Sequence, residues 1–161
     1  MVPTTPEELL DLTKTILHAA QFCFLITQDE MGQSCARLMQ PFAPDWDLVI
    51  WFGTSPRSRK VRDIQRDERV TLAFAHAQDG AYVTLSGSAS MVTDGAQRQC
   101  YWRDAFAAFW PAGPTGEDYL LVKFVPTRIE IMHIAQAVAP EPFGLRPVVL
   151  AQTETGWVLA D

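Results

Sequence analysis

The chain has 161 residues, of which 48% are hydrophobic and 20% charged, with a formal net charge of −6. That length fits one domain over 1–161 with a full core of its own, burying roughly 70% of the surface its unfolded form exposes. The acidic balance excludes a general phosphate-backbone binder, which needs lysine and arginine in excess, and the apolar runs are too short to cross a bilayer as a helix.

The first element reads as a helix. Thr5 can cap it, Pro6 suits its first position, and Glu8 completes a capping box. Leu9, Leu12, Ile16 and Ala20 then recur on one face, and the helix is expected to end near Gln21. Phe22 to Thr27 follows as a strand, Asp29-Glu30-Met31-Gly32 as a turn, and Ser34 to Gln40 as the returning strand. Pro41 to Asp47 is a loop. Leu48 to Phe52 is apolar throughout, as expected of a buried strand.

Ser55-Pro56-Arg57-Ser58-Arg59-Lys60 reads as a helix entry, with Ser55 as cap and Pro56 in the first turn. Val61 and Ile64 supply the apolar face. Arg69 to Ala77 is a strand, Asp79-Gly80 a hairpin signal, and Ala81 to Val92 the long return, with Gly87 at a bulge or close backbone approach. A second long helix is expected from about Ala96 to Phe109, ended by Pro111, Gly113, Pro114 and Gly116. Tyr119 to Val125 and Arg128 to His133 read as two strands joined across Pro126-Thr127. Val148 to Ala151 and Trp157 to Leu159 form a terminal hairpin. About seven hairpin-connected strands and three short helices predict a mainly β, α+β architecture. It is an antiparallel barrel, closed or nearly so, with short flanking helices.

Cys23, Cys35 and Cys100 are odd in number and show no metal-ligand spacing. They are expected to be reduced and mostly buried, which suits a cytoplasmic protein without a signal peptide. His18, His76 and His133 fall in separate elements, and nothing in the sequence places them together. No metal site is expected, and no side chain stands out as a catalytic acid or base.

The segment from Thr54 to Lys60 combines hydroxyls, a helix start and three cations. Free N–H groups and the helix dipole favour an anion there. Ser55 and Ser58 add donors, Arg59 and Lys60 add charge, and Arg37 can add another cation from the preceding strand. Spacing alone leaves a second reading open, a solvated basic face. Arg57, Arg62, Arg66 and Arg69 continue the run, and Asp63, Asp67 and Glu68 are available to pair with them. Cations at a helix start oppose the dipole, which favours the anion site.

Ala36-Arg37-Leu38-Met39, Trp51-Phe52-Gly53-Thr54 and Ser58-Arg59-Lys60 resemble the flavin-binding signature of the pyridoxamine-phosphate-oxidase-like split barrels. Tyr82 to Ala89 resembles the glycine-containing strand of that superfamily. Trp102 and Phe109-Trp110-Pro111-Ala112-Gly113-Pro114 resemble its general stress protein branch. The likeness runs from about Leu10 to Ile134. It implies a homodimer with FMN at the subunit interface. Arg37, Ser58, Arg59 and Lys60 would hold the phosphate, with Thr54 and Ser55 beside the phosphate and ribityl chain. Leu38 is carried over as a neighbouring contact, and Trp51 and Phe52 as lining the strand behind the cofactor. Tyr82 would lie near the isoalloxazine, and Trp110 would pack on it from the partner subunit.

Three departures limit the likeness. Leu-Met-Gln follows Arg37 without the lysine common in the oxidases. Their C-terminal Trp- and Arg-containing motif is missing, so pyridoxamine phosphate oxidation is not expected. Arg128 to His133 lacks the aromatic ending of the stress-protein branch. The resemblance thus implies a flavin oxidoreductase linked to stress, acting with a small-molecule donor or acceptor. Its alternatives are a non-catalytic flavin store or sensor, and a barrel that takes a deazaflavin in the same groove.

Overall fold

The computed structural model describes residues 2–138 and 146–160. The chain opens with α1 (Pro6–Ala20), and its capping box is formed: Glu8 N–H donates to Thr5 Oγ1, and Thr5 N–H to the Glu8 carboxylate. Such a cap contributes about 1 kcal/mol. Leu9, Leu12, Ile16 and Leu17 are buried, and α1 packs across the later strands β4 (Arg69–His76) and β5 (Ala81–Val92).

The other strands are β1 (Cys23–Gln28), β2 (Ser34–Met39), β3 (Ile50–Thr54), β6 (Leu120–His133), β7 (Val148–Thr153) and β8 (Gly156–Ala160). All named pairs are antiparallel. The order is β2-β1-β4-β5-β6-β7-β8, and β3 pairs with the first half of β6. Following β5 and β6 round to β3 leaves β2 and β3 as facing, unpaired edges, so the barrel is split rather than closed. Helix α2 (Arg59–Arg66) lies at this split end, packed against β1 and β5.

Alternation along each strand sends one set of side chains inward. Leu25, Ile50, Phe52, Leu72, Phe74, Val83, Leu85, Val122, Phe124, Ile129 and Ile131 form the core with α1 and Ile64 of α2. Trp51 and Leu121 face the other way and meet Tyr119 and a cap of Phe42, Tyr101, Trp102, Phe106 and Trp110.

The expected helix from Ala96 to Phe109 is not one helix. It divides into α3 (Gly95–Cys100) and a 3-10 turn (Asp104–Ala108), with Arg103 extended between them. The cap explains the break. Tyr101 stacks on Trp51 at 4.5 Å, and Phe106 packs edge-on to Phe42 at 5.9 Å. Residues five apart on one helix point about 140° away from each other, so a continuous helix could not deliver both to one cluster.

The two late strands expected around Pro126 are a single β6. Its pairing with β5 shifts between Ser86 and Gly87, where Gly87 lies opposite Pro126. The shift absorbs the missing proline N–H. A Cβ on Gly87 would collide with the Val125 carbonyl, so the glycine is required by close approach, as its place in the sequence suggests. The third strand begins at Ile50, because Leu48 has a left-handed φ of 63°. The terminal hairpin is present and pairs with β6 through β7. Of the cysteines only Cys23 is buried. Cys35 is half-buried and Cys100 exposed, and all three are free.

Candidate functional site

The split brings β2, the end of β3 and the start of α2 together. Arg37 sits opposite Leu25 and shares its inward face. Thr54 ends β3 and is buried. Between Thr54 and α2 the chain turns at Ser55–Ser58, closed by Ser58 N–H donating to the Ser55 carbonyl. The helix therefore starts at Arg59 with Ser58 as N-cap, not at Ser55. Ser55 Oγ instead accepts the Arg57 N–H at 3.4 Å, which favours a turn over a helix start.

Lys60 reaches back across this turn. Its Nζ donates to Thr54 Oγ1 at 3.0 Å, and Thr54 Oγ1 lies 3.4 Å from Ser58 Oγ. Burial, and then the charge of Arg37, hold the Lys60 ammonium below its ordinary range. Among the described residues neither Lys60 nor Arg59 has a carboxylate within salt-bridge reach. The backbone N–H groups of Arg59 and Lys60 likewise have no acceptor among them, as expected of a helix's first turn. Lys60, the Ser58 hydroxyl and two open N–H groups so gather at the start of α2, with Arg59 as the exposed cation next in sequence. That donor set fits a dianionic phosphate.

Arg37 is not a free cation. Its Nη1 donates to Thr27 Oγ1 at 2.8 Å and its Nη2 to Asp63 Oδ2 at 3.3 Å. Thr27 in turn donates to Asp63 Oδ2 at 2.7 Å. Two of the five guanidinium N–H donors are engaged, so Arg37 is oriented and keeps donors for a ligand. Asp63 is only 7% exposed. Burial pushes its carboxyl up, but hydrogen bonds from Thr27 and Arg66, and the charges of Arg37 and Arg66, outweigh that and hold it below the usual range. Arg66 is not the solvated charge expected of its position: it donates to Asp63 Oδ1 at 3.3 Å and to the Gln28 carbonyl at 2.9 Å. Sequence reasoning misses Thr27, and gives Asp63 only as a pairing partner on a solvated face, not as the buried acceptor that orients Arg37. The available signal was an aspartate at an inward helical position, beside Ile64 and one turn from Lys60.

The remaining candidates divide. Phe52 is wholly inside the core, so any ligand contact it makes is through its backbone. Trp51 is buried beneath Tyr101, with Nε1 donating to Asp45 at 3.2 Å. Gly53 beside it has Phe106 and Tyr119 where a side chain would go. Leu38 and Tyr82 lie on the outer face of the sheet, Leu38 61% exposed and Tyr82 half-buried. Burial, and then the charge of Glu130, raise the Tyr82 hydroxyl above its ordinary range. Trp110 rests in its own chain's cap, 5.0 Å from Tyr119 and 5.2 Å from Phe106 between ring centroids.

The histidines are closer than the sequence suggests. His76 Nδ1 lies 3.1 Å and His133 Nε2 3.8 Å from the same oxygen of Asp79. The cause is register: both residues flank Ala81 on the middle strand β5. Among the described residues, however, no group of three His, Cys, Asp or Glu side chains has metal-ligand geometry.

A family model described as Pyridoxamine 5'-phosphate oxidase like matches residues 8–133. Protein bli-3 of Neurospora crassa is 28% identical over 90 residues, which make up 55% of this chain and 43% of that protein. The matched part thus spans less than half of that relative. A solved protein from Clostridium acetobutylicum, related to general stress protein 26 of Bacillus subtilis, superposes with a TM-score of 0.75 at 18% identity, over 90% of this chain and 95% of its own. A pyridoxamine 5'-phosphate oxidase-related, FMN binding protein from Nostoc punctiforme superposes with a TM-score of 0.68 at 15% identity, over 94% and 95% of the two chains. At these identities the two structures are alike in fold.

Proposed function

Because the chain belongs to the pyridoxamine 5'-phosphate oxidase-like family, we propose that it binds FMN at the split of the barrel and works as a flavin-dependent oxidoreductase. The convergence of Lys60, Ser58 and the open N–H groups of α2, with the exposed Arg59 adjoining them in sequence, carries this reading. The FMN-binding relative of the same fold supports it, and the relative of general stress protein 26 supports a role in stress.

Bound FMN would supply electron or hydride transfer, and the chain supplies binding, orientation and electrostatics. Arg59 and Lys60 neutralise the phosphate, Ser58 and the α2 N–H groups fix its geometry, and Thr54 holds Lys60 in place. Arg37 is aimed by Asp63 and Thr27. Leu38 and Tyr82 offer a partly apolar surface outside the split for the ring system, and Trp110 only the outer side of its indole.

The outer face also supports a homodimer with flavin at its interface. Leu38 lies opposite Phe24, and Phe24 opposite Ala73. Leu38 is 61% and Phe24 50% exposed, with Phe22 beside them also exposed. Large apolar side chains clustered on a strand face mark an interaction surface, and a two-fold axis sets one such patch against its copy. The Phe24→Asp, Leu38→Asp double variant is expected to sediment as a monomer with native circular dichroism. A wild-type monomer that retains FMN would remove the dimer from the proposal.

Whether the flavin turns over is settled by reducing the loaded protein anaerobically with NADH or NADPH in stopped flow. Bleaching within seconds, with reoxidation by an added acceptor, is the expected result. If no donor bleaches it, the flavin is stored or sensed rather than used.

A further inference from the structure

Away from the split, an indole stands in water on a turn that holds it there. Trp46 is 87% exposed, more than any other large hydrophobic side chain among the described residues. The turn around it is pinned on both sides. Asp45 N–H donates to the Val49 carbonyl at 3.1 Å, Leu48 N–H to the Asp45 carbonyl at 2.9 Å, and Val49 N–H to Asp47 Oδ1 at 3.1 Å. The Asp45 carboxylate also accepts from Trp51 Nε1 at 3.2 Å and from the Tyr101 hydroxyl at 3.1 Å. Leu48 takes a left-handed φ of 63°, which residues with a bulky side chain rarely adopt. Strain of this kind persists only where the surrounding structure enforces it, and it concentrates at binding sites.

Trp46 lines a cleft of about 520 Å3, within the size range of small-molecule sites. Trp157 of β8, Leu10 of α1 and Val125 of β6 line it too, with Asp47 and Lys14 as its charged groups. None of these residues belongs to the proposed phosphate site or to the Phe24 and Leu38 face. The two charges are not equivalent. Lys14 has a counter-charge in Asp11 at 3.8 Å. Asp47 has no cation within salt-bridge reach among the described residues, and only its Oδ1 accepts a hydrogen bond from them. The charge left uncompensated in the cleft is therefore negative. Indole faces also carry negative potential and attract cations.

We infer that this cleft binds a small organic cation, a tertiary or quaternary ammonium carried on an apolar body. Asp47 supplies the counter-charge, Trp46 and Trp157 the aromatic surfaces, and Leu10 and Val125 the apolar ones. A quaternary head has no N–H to satisfy, so apolar walls deprive it of no hydrogen bond. The site is separate from the flavin reading above and holds whether or not FMN is bound.

The test is calorimetric titration of the full chain with benzyltrimethylammonium, with phenylacetate as the anionic comparator and benzyl alcohol as the neutral one. Wild type, Trp46→Ala and Asp47→Asn are compared, each with and without FMN. Asparagine keeps an oxygen for the Val49 N–H and removes only the charge, and Trp46 is exposed, so both variants should keep the wild-type circular dichroism. The expected results are cation binding about tenfold or more tighter than either comparator, and a loss of roughly three- to tenfold in each variant. FMN should leave the cation affinity unchanged. Phenylacetate bound as tightly as the cation hands the cleft to Lys14 and overturns the inference. Absence of cation binding at millimolar concentrations overturns it, as do variants that bind the cation like the wild type. Cation binding abolished by FMN places the probe in the flavin site and also overturns it, leaving the flavin reading standing.

Discussion

Replacing Asp63 with alanine is expected to destabilise the protein by about 2–4 kcal/mol, the largest stability effect anticipated for a single polar side chain here. Asp63 is buried and accepts from Thr27, Arg37 and Arg66 at once. Its removal leaves the buried Thr27 hydroxyl without its acceptor and two guanidinium groups without their counter-charge. The cost stays below that of a fully buried broken pair, because the Arg37 and Arg66 side chains are 21% and 42% exposed. Urea unfolding of the wild type and variant checks it, and a difference under about 0.5 kcal/mol would show the network to be dispensable. The sign with pH follows from the lowered Asp63 carboxyl. Its contribution is present above about pH 4, the unfolded value, and is lost as pH falls through the depressed folded value. The variant should lack that part of the acid limb, so the stability gap between the two proteins should narrow on acidification.

Replacing Lys60 with alanine is expected to weaken FMN binding roughly ten- to hundred-fold, from the loss of about 1.5–3 kcal/mol of charged hydrogen bonding. The fold should survive, since Thr54 and Ser58 hydroxyls can still bond one another. Riboflavin affinity should change much less, because the lost partner is the phosphate. Arg66 is a poor control, being tied to Asp63 and Gln28. Arg69 serves better: its side chain is 83% exposed and, among the described residues, pairs only with Asp67 at 2.7 Å, so Arg69→Ala should leave FMN binding within twofold or so. If the Lys60 and Arg69 variants lose FMN affinity alike, the basic segment is a solvated face and the phosphate site is misassigned.

Local patterns were readable and long-range partnerships were not. The capping box of α1, the hairpin signal at Asp79-Gly80 and the irregularity at Gly87 each depend on a few neighbouring residues, and each is present as expected. The cluster at Thr54 to Lys60 was readable for the same reason. The Thr27–Asp63 bond spans 36 positions and the Arg37–Asp63 bond 26, and no periodicity encodes either. Arg66 reads as surface charge because its Gln28 partner lies on β1 and the burial of its helical neighbour Asp63 appears only after folding. The helix from Ala96 to Phe109 was overextended because its aromatics do fall at helical intervals, while the demand of Trp51 for Tyr101 as a stacking partner appears only after folding. The barrel's opening is as the resemblance to the split barrels implies, although the strands themselves do not encode it: each edge strand reads normally, and the absence of β2–β3 pairing in the assembled sheet creates the split.

The central claim is a phosphate site at that split, and the most direct measurement compares two ligands that differ only in the phosphate. Flavin-free protein is titrated with FMN and with riboflavin, following the quenching of flavin fluorescence. The expected result is FMN binding roughly a hundred-fold or more tighter, because Arg59, Lys60, Ser58 and two open N–H groups bond the phosphate and little else. Equal affinity for the two flavins would contradict the account at its root.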